Sequence, residues 1–332
     1  MKRIKRRDFI KQAASGIGSV LLAKSLRSNV SLAQTPSDMS RVVVVKHPGA
    51  TDSTKVINST NVQAMVDESI KQLTDNPSVV EAWASILPNF KKEHIIAIKV
   101  NPLGMMLPTH PEIVNAITIG LTSAGAHENN IIIYDRTNSE LNASGYIHNT
   151  SNVGVRCFGT DEEGWGYDWN NPVDILGQKR ALSTIVTRCD HLINVPVLKV
   201  HLDWYGVTLS LKNHYGSVDS PQLLHDNFAE ACAILNSQKN IKDKTRLVII
   251  DALFGCWGSN PSTWVIDFTP NSLIVSKDPV SADYVGTKML NEERAKHDQP
   301  QRRVPLLEKA AQMGLGINDP QKIELRAMEL KS

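Results

Sequence analysis

Polar side chains that could do chemistry follow the apolar runs of this sequence, at the point where each run ends. In open α/β sheets, ligands bind beyond the carboxyl ends of the strands, so such residues are the first candidates for a binding site. We therefore expect them to meet at one edge of a sheet. They are Lys99, Asn101, Asp135, Lys199, His201, Asp251, Lys277 and Asp278.

The segment 194–225 contains the densest group of candidate residues. Its amino, amide and imidazole groups are of the types that hold a carboxylate or a phosphate. We expect the ligand to be a small anion. The predicted catalytic residues are Lys99, Lys199, His201, Lys212 and Asn213, and the predicted ligand-binding residues are Asn101, Asp135, Asp251 and Asp278.

The same segment offers a metal site as an alternative. Three of the ten histidines, His201, His214 and His225, fall within 25 residues. Neutral imidazoles together with a carboxylate can ligate a divalent metal. The spacing matches neither HExxH nor HxH, so the sequence leaves the cofactor open between a divalent metal and none.

Each of these residues also has a purely structural interpretation. A loop histidine commonly hydrogen-bonds the backbone, and a lysine after a strand commonly marks only a solvated strand end. Asp278 precedes Pro279 and is expected to cap a helix whatever else it does. The functional hypothesis therefore depends on several residues meeting at strand ends, not on any one of them.

Three common catalytic or phosphate-binding motifs are missing from the sequence. It contains no GxxxxGK[ST] phosphate loop, no GxGxxG after the first strand and no GxSxG nucleophile elbow. Ordinary nucleotide hydrolysis, dinucleotide-dependent hydride transfer and α/β-hydrolase chemistry therefore lose support.

The elements predict an α/β fold with a mostly parallel sheet flanked by helices, because continuous apolar runs separated by helical patterns are typical of buried parallel strands. Strands are predicted at 42–46, 95–100, 131–134, 154–158, 192–198, 247–250 and 273–275, and helices at about 61–75, 111–124, 181–188, 226–236, 279–292 and 304–313. Residues 138–175 lack helical periodicity and are expected to form a long loop or a small inserted lobe.

The N-terminus has the pattern of a twin-arginine signal peptide. Arg6 and Arg7 precede an acidic, an aromatic and an aliphatic residue, and a short apolar stretch rich in small residues follows. Ser31 and Ala33 suit a signal peptidase, so cleavage is expected after Ala33. We expect a signal peptide over 1–33, a single domain over 34–332, contact with the twin-arginine machinery and a periplasmic location.

The N-terminal segment has two alternatives to an export signal. The first is a cytosolic chain with a basic amphipathic N-terminal helix, and the second is a membrane anchor that remains uncleaved. The apolar stretch is much shorter than the roughly 20 residues that cross a bilayer. No later segment approaches that length, so no stable membrane span is expected.

The charge balance changes once the signal is set aside. Residues 1–33 hold eight of the 36 Lys and Arg residues but one of the 34 Asp and Glu residues, which leaves 28 and 33 and a net charge of −5. Nucleic acid requires a clustered positive field and is therefore not an expected partner. The four cysteines, Cys157, Cys189, Cys232 and Cys256, match no zinc or iron–sulfur spacing.

The chain resembles the domain-of-unknown-function 362 family over most of residues 90–290. The matching runs are DHLINVPVLKVH at 190–201, VTLSLKNHYG at 207–216, His225, LVIIDAL at 247–253 and SKDPVSAD at 276–283, with KVN at 99–101 and HPE at 110–112 upstream. Several members of that family are fused to ferredoxin-type modules with two four-iron clusters. The resemblance therefore implies a redox or cofactor-linked role, and this chain would need a separate redox partner, since it has no CxxCxxCxxxC run.

Three hypotheses for the function follow. The first is an exported enzyme whose lysines bind an anion while His201 or His214 transfers a proton or ligates a metal, with Asp251 or Asp278 orienting them. The second is a binding protein that captures a metal ion or a small anion without a reaction. The third is an accessory subunit that docks a redox partner.

Overall fold

The structure is a computed structural model, and it describes residues 39–104, 106–201, 205–258 and 265–331. The described residues lie in one compact unit. The predicted signal peptide, residues 1–33, lies outside them.

Nine strands form the central sheet. Their order is β11-β1-β10-β9-β7-β2-β3-β4, and β8 also pairs with β9, while β5 and β6 form a separate hairpin. The strands are β1 Ser40–Lys46, β2 Ile96–Lys99, β3 Ile131–Tyr134, β4 Arg156–Cys157, β5 Val173–Ile175, β6 Gln178–Arg180, β7 His191–Asn194, β8 Val197–Lys199, β9 Thr245–Cys256, β10 Ser272–Ser276 and β11 Ile323–Glu329.

The sheet is mostly parallel, which confirms the predicted fold class. β2, β3, β4, β7, β8 and β9 pair in parallel, and β1 pairs in parallel with β11. β10 is the exception, since it runs antiparallel to both β1 and β9. The carboxyl end of β10 therefore points away from the edge at which the other strands end.

Helices cover both faces of the sheet. They are α1 Ser59–Thr74, α2 Val79–Ile86, α3 Pro111–Ser123, α4 Asn138–Ala143, α5 Thr184–Arg188, α6 Ser210–Asn213, α7 Phe228–Ser237, α8 Lys239–Lys242, α9 Pro279–Lys296 and α10 Pro305–Gln312. Successive strand residues point to opposite faces, so Ile96 and Ile98 of β2 enter one apolar core and Ala97 enters the other. Two cores therefore sandwich the sheet.

A strand or helix occurs in every predicted segment, with differences at the ends, but the predicted strand 192–198 is divided into β7 and β8. Pro111 and Pro279 begin α3 and α9 as predicted, and the carboxylate of Asp278 accepts hydrogen bonds from the amides of Val280 and Ser281. The sequence analysis assigned no element to α2 or to β11. In β11 the side chains alternate between partly buried and exposed, as expected for a strand at the edge of a sheet.

The segment 138–175 is mainly irregular, but it is not free of regular structure. It opens with α4, capped by Thr137, whose hydroxyl accepts a hydrogen bond from the amide of Glu140. It also contributes β4 at the edge of the sheet and β5 of the hairpin. The expectation that the segment has no helix is therefore wrong over its first turn and a half.

Within the described part of the chain, no helix combines the length and the apolar character needed to cross a membrane. The four cysteines are all buried and none is in a disulfide bond.

Candidate active site

A buried ion pair lies where the parallel strands β2 and β3 end. The ammonium of Lys99 is 2.6 Å from the carboxylate of Asp135, and both side chains are almost fully buried. Burial lowers the pKa of Lys99 and raises that of Asp135, while each charge opposes the shift of its partner. Gly216 covers the pair so closely that a Cβ atom there would lie 2.0 Å from Asp135 Oδ1.

The ion pair continues into a chain of buried hydrogen bonds. The amide of Asn213 accepts from Lys99 Nζ at 3.3 Å and donates to Asn194 Oδ1 at 2.7 Å. Asn194 Nδ2 lies 3.2 Å from Nε2 of His214, whose Nδ1 lies 3.2 Å from the hydroxyl of Ser217. Burial lowers the pKa of His214 to about 3, so the ring is neutral in this network.

One carboxylate anchors the segment that carries these residues. Asp283 of α9 accepts hydrogen bonds from the amides of Ser210 and Leu211, at 2.8 and 3.0 Å, and so caps α6. Burial raises the pKa of Asp283 to about 7, although these hydrogen bonds oppose the shift. The chain is accordingly helical from Ser210 to Asn213.

Lys199 closes a loop over the strand ends. Its ammonium donates to Asn101 Oδ1 at 3.2 Å and to the carbonyl oxygens of Leu103 and Leu107 at 2.6 and 3.2 Å. The side chain is fully buried, and burial, followed by the charge of Lys212, lowers its pKa to about 7. Lys199 and Asn101 were both predicted to lie at this edge of the sheet, and the structure brings them into contact.

A histidine that the sequence analysis did not propose for the site lies beside this loop. Nδ1 of His110 is 2.6 Å from Oδ2 of Asp251, and the same oxygen accepts from the backbone amide of His110 at 2.9 Å. Although burial lowers the pKa of His110, the charge and hydrogen bond of Asp251 raise it overall. In the sequence His110 stood out only in the run HPE at 110–112, although its place between a strand end and a predicted helix was a usable signal.

The arrangement orients the imidazole of His110 as in an acid–base pair. With Nδ1 held by Asp251, the other ring nitrogen, Nε2, makes no hydrogen bond within the described residues. A carboxylate that holds one nitrogen of a histidine fixes the tautomer and stabilises the imidazolium. The charge of Lys199 also acts on His110, which places the loop-closing ammonium near the pair.

Lys212, whose charge acts on Lys199, lies beside a cluster of rings. Its Nζ is 5.2 Å from the centre of the Tyr215 ring, and burial lowers its pKa to about 8. In the described chain, no carboxylate lies within ion-pair distance of Lys212. The rings that make contacts with one another in this cluster are His201, Tyr205, Tyr215, His225 and Phe228.

The three histidines predicted as metal ligands are not brought together. His201 and His225 each contact Tyr205, and burial lowers the pKa of both. His214 instead lies in the buried hydrogen-bond chain, where both of its ring nitrogens have partners. No group of three or more His, Cys, Asp or Glu side chains able to hold a metal ion occurs among the residues that the structure describes.

Two of the predicted strand-end residues lie elsewhere than expected. Asp251 does not end its strand, because β9 continues to Cys256. It is paired with Val197 of β8, and it therefore lies beyond the end of β7. Asp278 does not share this edge, because β10 runs antiparallel. In the pairing of β10 with β9, Leu273 lies opposite Asp251. Asp278 follows Leu273 by five residues, so it lies roughly 16 Å from Asp251 along the strand direction.

Asp278 is also fully engaged in local structure. One carboxylate oxygen caps α9, and the other accepts from the amide of Ile317 at 2.8 Å. The same correction applies to Lys277, which lies with Asp278 at the end of β10.

The comparisons with known proteins point to one family. The sequence model of the domain of unknown function DUF362 matches residues 96–288, which include Lys99, His110, Lys199, Lys212 and Asp251. No curated protein matches the chain. Because the match covers more than half of the sequence, the chain belongs to the DUF362 family.

Proposed function

We propose that this protein is an enzyme that transfers a proton to or from a small anionic substrate. The observation that carries the proposal is the 2.6 Å contact between His110 Nδ1 and Asp251 Oδ2, beside the buried ammonium of Lys199. A histidine oriented by a carboxylate is the commonest general acid or base, and ammonium groups shielded from water stabilise developing negative charge.

The substrate anion is assigned to the Lys212 side of the site. Lys212 has a lowered pKa and an aromatic contact, but no carboxylate counter-ion among the described residues. A carboxylate or phosphate of the substrate would supply that counter-charge and raise the pKa of Lys212 again. The charge of Lys199 acts on His110, and the charge of Lys212 lowers the pKa of Lys199, so the three groups interact electrostatically.

The ion pair of Lys99 and Asp135 acts as scaffold in this proposal. Both groups lie beneath Gly216, and Asn213 connects them to the network of His214. They hold α6, and therefore Lys212, against the strand ends. Lys99 and Asn213 are accordingly positioning residues, whereas His110 and Lys212 contact the substrate and the buried Lys199 acts on it through its charge.

Proton exchange at carbon tests the reaction. Lactate, malate, glycerate and 2-phosphoglycerate are incubated with the protein in D₂O, and loss of the Cα–H signal is followed by proton NMR. We expect exchange with at least one of these acids. His110→Ala should slow it by about 10²- to 10⁴-fold while anion binding, measured by calorimetry, persists.

Lys212→Met should instead abolish anion binding, and Lys179→Met, at an exposed lysine of β6, is the matched control that leaves both readouts unchanged. Anion binding without exchange would identify a binding protein rather than an enzyme. The proposal is wrong if none of the acids binds, or if His110→Ala exchanges at the rate of the unmodified protein.

We also propose that the protein is exported to the periplasm by the twin-arginine pathway. The support is the Arg6–Arg7 pair, followed by a short apolar stretch and by the small residues Ser31 and Ala33. In a twin-arginine-competent host, the full chain should be recovered from the periplasm with its N-terminus at residue 34. Replacing Arg6 and Arg7 by lysine should keep it in the cytoplasm, and unchanged recovery would contradict the proposal.

A further inference from the structure

A groove of about 700 Å³ lies outside the candidate active site and shares no lining residue with it. The segment that follows Gly164 forms one wall, and α5 forms the other. Its volume is within the range of small-molecule pockets, about 300 to 1,000 Å³. We call it the tryptophan groove, after Trp165 and Trp169, and its other main lining residues are Tyr167, Asp168, Asn171 and Arg188.

The two tryptophans of the groove differ in their surroundings. Trp165 packs on Phe158, with ring centres 4.8 Å apart, and the guanidinium of Arg188 lies 4.9 Å from its ring. Trp169 is 56 % exposed, which is unusual for the largest amphipathic side chain. Trp165 is therefore a fixed wall, while the indole face of Trp169 is open to a ligand.

The wall that carries Trp169 is held in place by backbone hydrogen bonds within the protein. The amide of Asp168 donates to the carbonyl of Leu182 at 2.8 Å, and the amide of Thr184 donates to the carbonyl of Gly166 at 2.9 Å. These bonds join the two walls of the groove. A preformed site loses little conformational entropy on binding.

The polar groups of the groove suit a neutral ligand rich in hydroxyls. Asp168 and Arg188 are the acidic and the basic residue among those that line it, so the charges balance. The carboxylate of Asp168 already accepts a hydrogen bond from the side-chain amide of Asn171 at 3.2 Å. The two planar groups keep further donors and acceptors for a ligand. Thr184, which is 8 % exposed, also lines the groove, and its hydroxyl has no hydrogen-bond partner in the described structure.

We propose that the tryptophan groove binds a pyranose sugar unit of an oligosaccharide, stacked on Trp169 and hydrogen-bonded by Asp168, Asn171 and Arg188. A pyranose ring has an apolar face of C–H groups and a rim of hydroxyls. The first matches an indole face, and the second matches amide, carboxylate and guanidinium groups. A phosphorylated ligand fits less well, because the lining offers one cation, Arg188, together with the carboxylate of Asp168.

Titration with neutral trisaccharides tests this inference independently of the proposed enzyme activity. Maltotriose, cellotriose and N,N′,N″-triacetylchitotriose are added to the full chain, and binding is followed by calorimetry and by tryptophan fluorescence. We expect saturable binding of at least one of them, with a change in the fluorescence of Trp169.

Trp169→Ala should weaken that binding by at least about tenfold, or about 1.4 kcal/mol, since it removes both the stacking contact and the apolar area that the contact buries. Trp169→Phe should retain part of the affinity. Val153→Ala, at a side chain that is 74 % exposed and outside the groove, is the control and should bind as the unmodified protein does. No binding at millimolar sugar, or binding that Trp169→Ala leaves unchanged, would overturn the inference.

Discussion

His110 and Asp251 are 141 positions apart in the sequence, yet Nδ1 of the imidazole lies 2.6 Å from Oδ2 of the carboxylate. One comes from the start of α3 and the other from the middle of β9. The contact joins a helix on one face of the sheet to a central strand. Its effect on the pKa of His110 can be measured directly.

Asp251→Asn should lower the pKa of His110. The negative charge and the hydrogen bond of Asp251 raise that pKa against the effect of burial, so their loss should lower it. The measurement is an NMR titration of the ring nitrogens, with His110→Gln to assign the signal. A pKa that stays in place would contradict the pairing.

Lys99→Met should destabilise the fold by about 3–5 kcal/mol, because it leaves the carboxylate of Asp135 buried without its counter-ion. Adding Asp135→Asn should recover much of the loss, since the double variant buries no charge. Urea unfolding of the two single variants and the double variant measures the coupling. Lys179→Met removes an exposed ion pair with Asp174 and should cost less than about 1 kcal/mol.

Gly216→Ala should destabilise the protein by about 1–3 kcal/mol through overpacking. The added Cβ would lie 2.0 Å from Asp135 Oδ1 and 2.7 Å from Lys99 Nζ, so the ion pair would have to move. Gly258→Ala is the matched control, because the nearest atom to its Cβ is 3.4 Å away, and it should change stability by less than about 0.5 kcal/mol. Equal effects of the two substitutions would show that Gly216 does not pack on the ion pair.

His214 should make the fold sensitive to acid. Its pKa is about 3 in the folded chain and 6.5 without burial, so the unfolded chain binds the extra proton between these values. The stability is fully present above pH 6.5 and is lost as the pH falls towards 3. In His214→Gln, the free energy of unfolding should fall less steeply with pH, by up to about 1.4 kcal/mol per unit. Urea unfolding at several pH values between 6.5 and 4 checks this, and an unchanged slope would contradict it.

The local elements were predictable from the sequence because their periodicity reports how each short stretch buries its own side chains. The runs around Ile96–Lys99 and Ile131–Tyr134 are buried strands as predicted, and Pro111 and Pro279 begin helices. The placement of Lys99 and Asn101 at a strand end also followed from the same pattern. β11 was not predicted, because its side chains are at most partly buried and its apolar residues form no continuous run.

The sequence by itself thus determined the α/β class, the helix starts and the strand-end position of Lys99 and Lys199. Tertiary structure decided which of these ends meet. The reversed direction of β10 removed Asp278 from the site, and the packing of α3 against β9 brought in His110. Strand direction and helix packing depend on contacts between segments far apart in the chain. The periodicity of one segment does not indicate which distant segment it will pack against.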